Sequence, residues 1–348
     1  MYAPSKRLAD DHRETGSILI LVLIVLSSMT ALSVGLAYRT RIELKLAQAH
    51  AKRAQAHYLA LGGIERAKAL IGAVELSAET MPALCTFMAG AADEALFEQV
   101  PEFTATKGRA LAYSLQDEQS YFNVNLSDPA AWENLGIFSR DHLSAILDWT
   151  DSDDDAGPGG AETDFYMRLP APYAAKNAPC ATLKELLLVK GTDQMPYRPA
   201  ALGSDDASEN GSRRPGRDRR ARQVGLLDVF TVYGDGRLNA NTASPMLLAA
   251  LPGCDEAAVE ALMAWRAGAD GFLGTEDDQI LQSAEDLAKI EGLTELHVEL
   301  LTEYCCFESP LFRVISRACF DTHYTCCFVA TIHNCPAGPQ VLYLERLL

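Results

Sequence analysis

Between positions 148 and 164 the chain carries seven carboxylates, Asp148, Asp151, Asp153, Asp154, Asp155, Glu162 and Asp164, around three glycines, Gly157, Gly159 and Gly160. Like charges this close repel unless water or a cation separates them. Hard oxygen donors on a glycine-bearing loop suit Ca²⁺, which takes six to eight oxygens. Asp151, Asp153, Asp155, Glu162 and Asp164 are the candidate ligands. The loop is not an EF-hand, because the fixed Gly and the bidentate Glu at a twelfth position are missing. On the residues alone, a solvated acidic loop is an equal alternative. A second acidic loop, Ala269 to Gln279, offers Asp270, Glu276, Asp277 and Asp278. It has fewer carboxylates, so a capped, solvated turn is favoured there over a second Ca²⁺.

Other chemistry is thinly represented. Cys319, His323, Cys326, Cys327, His333 and Cys335 fit no standard zinc spacing, and adjacent cysteines on a strand point to opposite faces. Disulfides or core thiols are favoured over a zinc site. No G-x-S-x-G, H-E-x-x-H or P-loop pattern is present, and no nucleophile or base stands out, so the chain reads as a non-enzyme. A net charge of −17 disfavours attraction to nucleic acid phosphates. Nine cysteines suit an oxidising compartment.

The elements that must carry the acidic loops begin with the N-terminal third. Ser17 to Tyr38 is a run of 22 uncharged residues, enough to cross a bilayer core of about 30 Å as a helix. Arg39 to Ile71 holds no Pro and is rich in strong helix formers. Leu44, Ala47, Ala51, Ala54, Tyr58 and Leu61 recur at helical spacing and draw an apolar stripe. One continuous helix over 17–71 is expected, either an anchor with a coiled-coil stalk or a helix that packs on copies of itself or its relatives. Arg39, Arg41, Lys45, Lys52 and Arg53 follow the span, and by the positive-inside rule alone they place the C-terminal side in the cytoplasm.

A diverged repeat organises the middle. Phe122-Asn-Val-Asn125 answers Leu238-Asn-Ala-Asn241, and Ala145 to Trp149 answers Ala261 to Trp265, both 116 positions apart. Leu183 to Thr192 answers Glu285 to Thr294, with the glycines Gly191 and Gly292 offset by 101. Each copy reads Asn-x-Asn, a helix, a turn, a helix ending near Trp, an acidic loop, and a short helix ending at Gly. The asparagines suit N-caps and the glycines left-handed C-caps. Two similar helical units are predicted. Between them, 203–223 is polar and arginine-rich and is predicted to be a disordered loop.

Strand signals flank the units: two short runs around a polar turn within Arg109 to Val124, another in Leu226 to Tyr233, and alternating runs at Phe312 to Phe320, Thr325 to Ile332 and Val341 to Leu348. An antiparallel sheet closed by the C-terminal strands is predicted, with the helical units inserted in its middle.

The leader Met1 to Gly16, ending in Gly before a hydrophobic helix, resembles the substrates of prepilin peptidase, which are the type IV pilins and the pseudopilins of type II secretion. Cleavage between Gly16 and Ser17 is then expected. That peptidase works at the cytoplasmic face, so the resemblance places the N-terminus inside, against the flanking charges. Those families carry Glu at the fifth mature position, where this chain has Leu21. The large minor pseudopilin of GspK type lacks that Glu. The run Asp148 to Asn177 is similar to the GspK pattern of D-W-x-D, further acids, G-A-E-x-D, an aromatic and Pro-Tyr, and Leu183 to Gly191 to its closing Leu-x-Glu-Leu run.

The resemblance implies an α+β fold: a long N-terminal helix, a small antiparallel pseudopilin sheet, and a large inserted helical domain. It implies a cleaved leader at 1–16, a transmembrane part at 17–38 and a periplasmic stalk at 39–72. The pseudopilin domain then takes 73–125 and 300–348, and the inserted domain 126–299, with repeat one at 123–192 and repeat two at 238–294. It further implies Ca²⁺ in the acidic loop, and a single-pass inner-membrane protein with a periplasmic bulk at the tip of a pseudopilus. The implied partners are the I- and J-type minor pseudopilins, the major pseudopilin and prepilin peptidase, met in assembly through Leu21, Ala47, Ala51, Ala54 and Tyr58. A tip subunit has no neighbour's amine to pair with a fifth-position Glu, and Leu21 avoids an unpaired carboxylate in lipid. The rival reading is a membrane-tethered helix-hairpin-helix DNA-uptake receptor, because Leu238 to Thr294 resembles that module. Its hairpin Pro252 to Glu256 lacks the second glycine and carries acids where lysines would help, so a scaffold without DNA binding is favoured.

Overall fold

The computed structural model describes residues 14–73, 98–99, 109–192, 195–197, 224–273, 275, 277–320 and 324–347. Most of the leader, the 203–223 loop, Glu276 and His323 lie outside the described residues. The chain divides into two units, Met1–Gln55 and Ala56–Leu348. Helix α1, Glu14–Ala73, contributes to both. In the first unit it exposes Ile18 to Leu26 all round, and it is apolar and long enough to cross a membrane. Ala47, Ala51 and Ala54 are exposed in this unit.

The second unit is built on a five-stranded antiparallel sheet. Its strands are β1 (Glu98–Gln99), β2 (Arg109–Asp117), β7 (Leu311–Phe320), β8 (Tyr324–Cys335) and β9 (Gly338–Arg346), neighbours in that order. Arg109 pairs with Phe320 and Asp117 with Phe312, while β8 and β9 close as a hairpin at Cys335 and Gly338. Period-2 alternation sorts the side chains onto two faces. Leu111, Tyr113, Leu115, Phe312, Val314, Phe328, Ala330 and Ile332 take one face, where Ala56, Ala60, Ile64, Ala67 and Ile71 of α1 pack on them. The helix lies close because small residues line it. A side chain at Gly63 would collide with Ser316, whose hydroxyl donates to the Ala60 carbonyl at 2.7 Å. This buried face is not the stripe read from the sequence: Tyr58 is 72% exposed, and the sheet takes the set starting at Ala56 instead.

The other face carries the insertion, which leaves the sheet after β2 and returns at β7. It contains β3 (Phe122–Asn123), α2 (Pro129–Asn134), α3 (Arg140–Thr150), α4 (Thr163–Tyr166), β4 (Phe230–Thr231), β5 (Leu238–Asn239), α5 (Pro245–Leu248), α6 (Glu256–Arg266), α7 (Ala284–Leu287), α8 (Glu295–Tyr304) and β6 (Cys305–Cys306). Trp132, Ile146, Trp149, Tyr166, Leu186, Leu248, Leu262 and Leu287 share one core with Ile315, Cys327, Val329 and Leu347 of the sheet side. Two strand expectations are corrected here. Tyr121 to Val124 and Leu226 to Tyr233 do not join the sheet: each yields two strand residues, and β3 and β4 pair parallel with one another. Leu226–Asp228 is a 3-10 turn. A matching parallel pair, β5 with β6, serves the second copy.

The repeat is structural, but its asparagines do other work than capping. Asn125 accepts from the Cys180 N–H at 2.7 Å and donates to the Cys180 carbonyl at 3.0 Å. Asn241 does the same to Leu281, at 2.8 Å each way. Cys180 and Leu281 are 101 positions apart, the offset of the terminal glycines. Each Asn therefore clamps the chain that enters its copy's last short helix. Among the described residues, helix N-termini are capped by the side chains of Asp128, Ser139, Ser244, Asp255 and Thr294. Gly191 and Gly292 take φ of 82° and 99°, the left-handed ends expected.

Two consecutive acids fix the insertion where it departs. The Asp117 carboxylate accepts from Asn239 and Thr242 of the second copy, both at 2.7 Å. Glu118 receives a bidentate pair from Arg313 of β7, at 2.5 and 3.1 Å, with both side chains 2% exposed. Arg313 also donates to the carbonyls of Leu227 and Phe230 and lies 4.1 Å from the Tyr121 ring centroid. Removing one partner strands a buried charge, which costs about 3–5 kcal/mol. Arg313→Met is expected to lose that much in urea unfolding, and Glu118→Gln with Arg313→Met to lose less than Arg313→Met alone. Equal losses would mean the pair is not coupled.

Candidate metal centre

The first acidic loop leaves the C-terminal end of α3. That helix is started by a Ser139–His142 capping box and buries Leu143, Ile146 and Trp149. Its polar edge carries Asp148, and Asp151 follows one turn on, so the two carboxylates are neighbours by helical geometry. The chain then turns through the glycines and enters α4 at Glu162. Here Asp148, Asp151 and Glu162 each offer an oxygen, and the three oxygens lie within 4.8 Å of one another.

Asp148 is the fixed member. It is buried, and its carboxylate accepts from the Ala161 N–H at 2.7 Å and the Gly157 N–H at 3.2 Å. The glycines are needed for this approach. A side chain at Gly160 would collide with one Asp148 oxygen, and one at Gly157 would fall 3.0 Å from the other. Lys190 holds the outside of the turn, donating to the carbonyls of Gly159 and Gly160 at 2.9 and 3.1 Å. The floor is aromatic: Trp149 meets Tyr166 edge-on, and Tyr166 stacks on Tyr173.

Glu162 is 4% exposed, and neither of its carboxylate oxygens has a hydrogen-bond partner. Burial, then the charges of Asp148, Asp151, Asp154 and Asp153, pushes its carboxyl up to about 7. Burial and the neighbouring Asp153 and Asp148 charges also raise Asp151. Buried acceptors without donors normally signal a missing partner. The gathered groups are all acceptors, so the partner they suit is a cation with a preference for hard oxygen.

Of the five ligands read from the sequence, the structure gathers Asp151 and Glu162. Asp153 turns its carboxylate to the Asp155 N–H at 3.0 Å. Asp155 is exposed. Asp164 is 96% exposed on its side chain and faces Arg168 at 3.8 Å. Asp148, which the structure brings to this group, was not among the candidate ligands read from the sequence. Its signal was its place in the Asp-Trp-x-Asp run, one helical turn before Asp151.

In the second loop, Asp277 satisfies itself locally. It accepts from the Ala269 and Asp270 N–H groups at 2.7 and 3.0 Å and from the Thr275 hydroxyl at 2.7 Å, bonds that hold its carboxyl below its usual range. Asp270 accepts from the Phe272 N–H at 2.8 Å. Among the described residues, Asp270, Asp277 and Asp278 form no group like that of the first loop. Position 264, which answers Asp148, is Ala.

The helix-hairpin-helix resemblance also gains a geometry. Gly253 makes the turn with φ of 77°, and the Asp255 carboxylate caps α6 by accepting from the Ala258 N–H at 2.8 Å. The N–H groups that would hold a phosphate thus have an acid on them. In the C-terminal strands, Cys326 faces the α1 side and Cys327 the insertion side, as adjacent strand residues must.

Comparison with known proteins converges on one family. The first-domain family model of type II secretion system protein K matches residues 132–201, which contain the whole acidic loop. The type II secretion system protein K of Pectobacterium carotovorum subsp. carotovorum is 28% identical over 209 residues, covering 53% of this chain and 61% of the relative. That of Klebsiella pneumoniae is 27% identical over 208 residues, covering 54% and 61%. The match thus spans about three-fifths of the length of these curated relatives. A chain of the crystal structure of the GspK-GspI-GspJ complex from enterotoxigenic Escherichia coli superposes with a TM-score of 0.50 over 88% of this chain and 99% of that one, at 16% identity. Residues 132–201 thus resemble the protein K domain of the type II secretion system, the chain is similar in sequence to two protein K subunits, and it shares the α+β fold of a chain in that solved complex.

Proposed function

We propose that this chain is a minor pseudopilin of GspK type that caps or initiates the type II secretion pseudopilus and supports protein export across the outer membrane. It acts by assembly rather than catalysis, held in the inner membrane by the first part of α1 with its bulk in the periplasm. The observation that carries this reading is the protein K match over 132–201 within an insertion between two neighbouring sheet strands. A tip position suits so large an insertion, because only the first subunit has free space above it. Leu21 fits the same place. The proposed partners are the I- and J-type minor pseudopilins, the major pseudopilin, and prepilin peptidase.

Processing tests the reading directly. Mass spectrometry of the mature protein is expected to find Ser17 as the first residue, and Gly16→Ala to leave the leader attached. A wild-type N-terminus at Met1 or near Tyr38 would sink the pseudopilin assignment.

Assembly tests it through α1. Ala51 and Ala54 are one turn apart and exposed, so bulk there blocks close approach of a second helix. Ala51→Gln with Ala54→Gln is expected to cut co-purification with co-expressed I- and J-type subunits while the second unit keeps its wild-type melting temperature. Undiminished assembly of the double variant would remove the stripe from the interface.

We further propose that Asp148, Asp151 and Glu162 bind Ca²⁺. Calcium at 100 times its dissociation constant adds about 2.7 kcal/mol of stability, and Asp151→Ala with Glu162→Ala is expected to abolish that gain. The pH dependence has a definite sign. The folded Glu162 binds its proton at about 7 rather than at the usual 4.5, so without a cation its contribution is full in acid and is lost as pH rises through about 7. In EGTA the melting temperature is expected to fall between about pH 5 and pH 8. Calcium, or Glu162→Gln, should flatten that fall. A melting temperature indifferent to both EGTA and calcium would leave the loop a solvated surface.

A further inference from the structure

Assembly through the Ala stripe leaves the basic residues beyond the apolar span without a role. Arg39, Arg41, Lys45, Lys52 and Arg53 follow the span closely, in a chain whose net charge is −17. Glu43 is the one acid among them. A positive segment on an acidic chain fits an anionic partner.

Helix α1 runs unbroken from Glu14 to Ala73, so spacing fixes the side of it that each residue takes. Tyr38, Arg41, Lys45 and Lys52 follow at steps of three, four and seven positions and share one face. Glu43 stands on the opposite side and is held by Arg39, whose Nε donates to it at 3.0 Å. At 3.6 residues per turn, the basic row lies about 130° round the helix from Ala47, Ala51 and Ala54. It is therefore clear of the stripe proposed to meet other helices. Arg41 and Lys45 are exposed, and neither forms an ion pair among the described residues.

Position along the axis supplies a second constraint. The apolar run ends at Tyr38, which is 68% exposed and is an amphipathic ring of the kind that marks a membrane–water boundary. At 1.5 Å per residue, Arg41 and Lys45 lie about 5 and 10 Å beyond it, and Lys52 about 21 Å. The headgroup layer is about 5 to 8 Å deep on each side of the hydrocarbon. Cα–Cβ bonds lean toward a helix N-terminus, which is here the membrane end. Long basic side chains also bend back to the interface. Arg41 and Lys45 thus deliver their charges into the headgroup layer, whereas Lys52 and Arg53 stand above it.

We infer that Arg41 and Lys45, next to Tyr38, form a site for the phosphate of an anionic membrane lipid, on the side of α1 turned away from the Ala stripe. This rests on the reading of α1 as a membrane anchor. A guanidinium grips two phosphate oxygens at once, and an ammonium one turn on adds a point charge. A zwitterionic lipid offers the same phosphate but carries its own cation beside it, so the pair selects lipids of net negative charge. Lipid on this side leaves the Ala stripe free for other helices. The site also gives these residues a use on a side of the membrane where charge bias alone would not put them.

The experiment titrates the full chain in detergent with phosphatidylglycerol or with phosphatidylcholine of identical acyl chains, and counts bound lipid by native mass spectrometry. The wild type is expected to bind phosphatidylglycerol more tightly. Arg41→Gln and Lys45→Gln are each expected to weaken that binding by about 5-fold, the usual effect of one basic residue near anionic headgroups. Both should leave phosphatidylcholine binding unchanged, and Arg53→Gln should leave both lipids unchanged. Equal affinity of the wild type for the two lipids would overturn the inference, as would wild-type phosphatidylglycerol affinity in the double variant. A loss in Arg53→Gln as large as in Arg41→Gln would also overturn it, by replacing the site with a diffuse charge effect. If the double variant keeps its lipid preference but no longer co-purifies with co-expressed I- and J-type subunits, the face belongs to a protein partner instead. Release of the chain from membranes by alkaline carbonate would overturn the anchor reading and this inference together. A retained chain without lipid preference overturns the inference alone.

Discussion

The structure turns on the buried pair between Glu118 and Arg313. A guanidinium and a carboxylate, each 2% exposed, meet where the chain leaves the sheet and where it comes back. Isolated, either charge would be intolerable in that environment. Together, with the carbonyls of Leu227 and Phe230 and the face of Tyr121, they hold the two ends of the insertion on one side of the sheet. Asp117, one residue earlier, anchors the second copy through Asn239 and Thr242. Burial raises Asp117 despite its donors. Adjacent strand positions face opposite ways, but the chain bends into a 3-10 turn at Glu118–Ser120, and this lets both acids serve the insertion.

The two copies show how one scaffold divides its duties. Both keep the Asn clamp and the glycine end. Copy one adds Asp148 and Asp151 at the end of its long helix and a glycine turn that wraps Asp148. Copy two has Ala264 and Ala267 at those positions, and Arg266 is buried instead, donating to the Ala243 carbonyl at 2.9 Å. The first loop thus gathers acids, whereas the second is held by local bonds to Asp277. The divergence lies in loop and edge residues, where substitution leaves the packing of Trp149 and Leu262 untouched.

Much of this was legible in the sequence, for identifiable reasons. The apolar span, the C-terminal strands and the repeat announce themselves through length, period and self-similarity. The acidic loop announces itself by composition. What was not legible depends on tertiary contact. Tyr121 to Val124 has strand residues, but the turn at Glu118 takes it off the sheet. The α1 face that packs on the sheet is marked by small residues, which carry little hydrophobic signal. In the loop, Asp153, Asp155 and Asp164 look no different in sequence from Asp148, Asp151 and Glu162, since the path of the folded chain decides which carboxylates converge.

The connectivity of the sheet has a consequence for how the protein is made. β2 and β7 are neighbours hydrogen-bonded along nine residue pairs, yet the whole insertion lies between them in the chain. As the chain emerges, β2 has no partner for its central edge until β7 to β9 follow. Sheets closed by such distant pairings form slowly, because loop closure precedes the contacts that reward it. An insertion that folds first changes that cost, since its compact body brings residues 118 and 310 together and shortens the effective loop. The topology therefore favours one order: an insertion that folds early brings Arg313 to Glu118 before β7 closes on β2. The Ala56 to Ile71 face of the helix is covered in full only when the C-terminal strands join β2 on it.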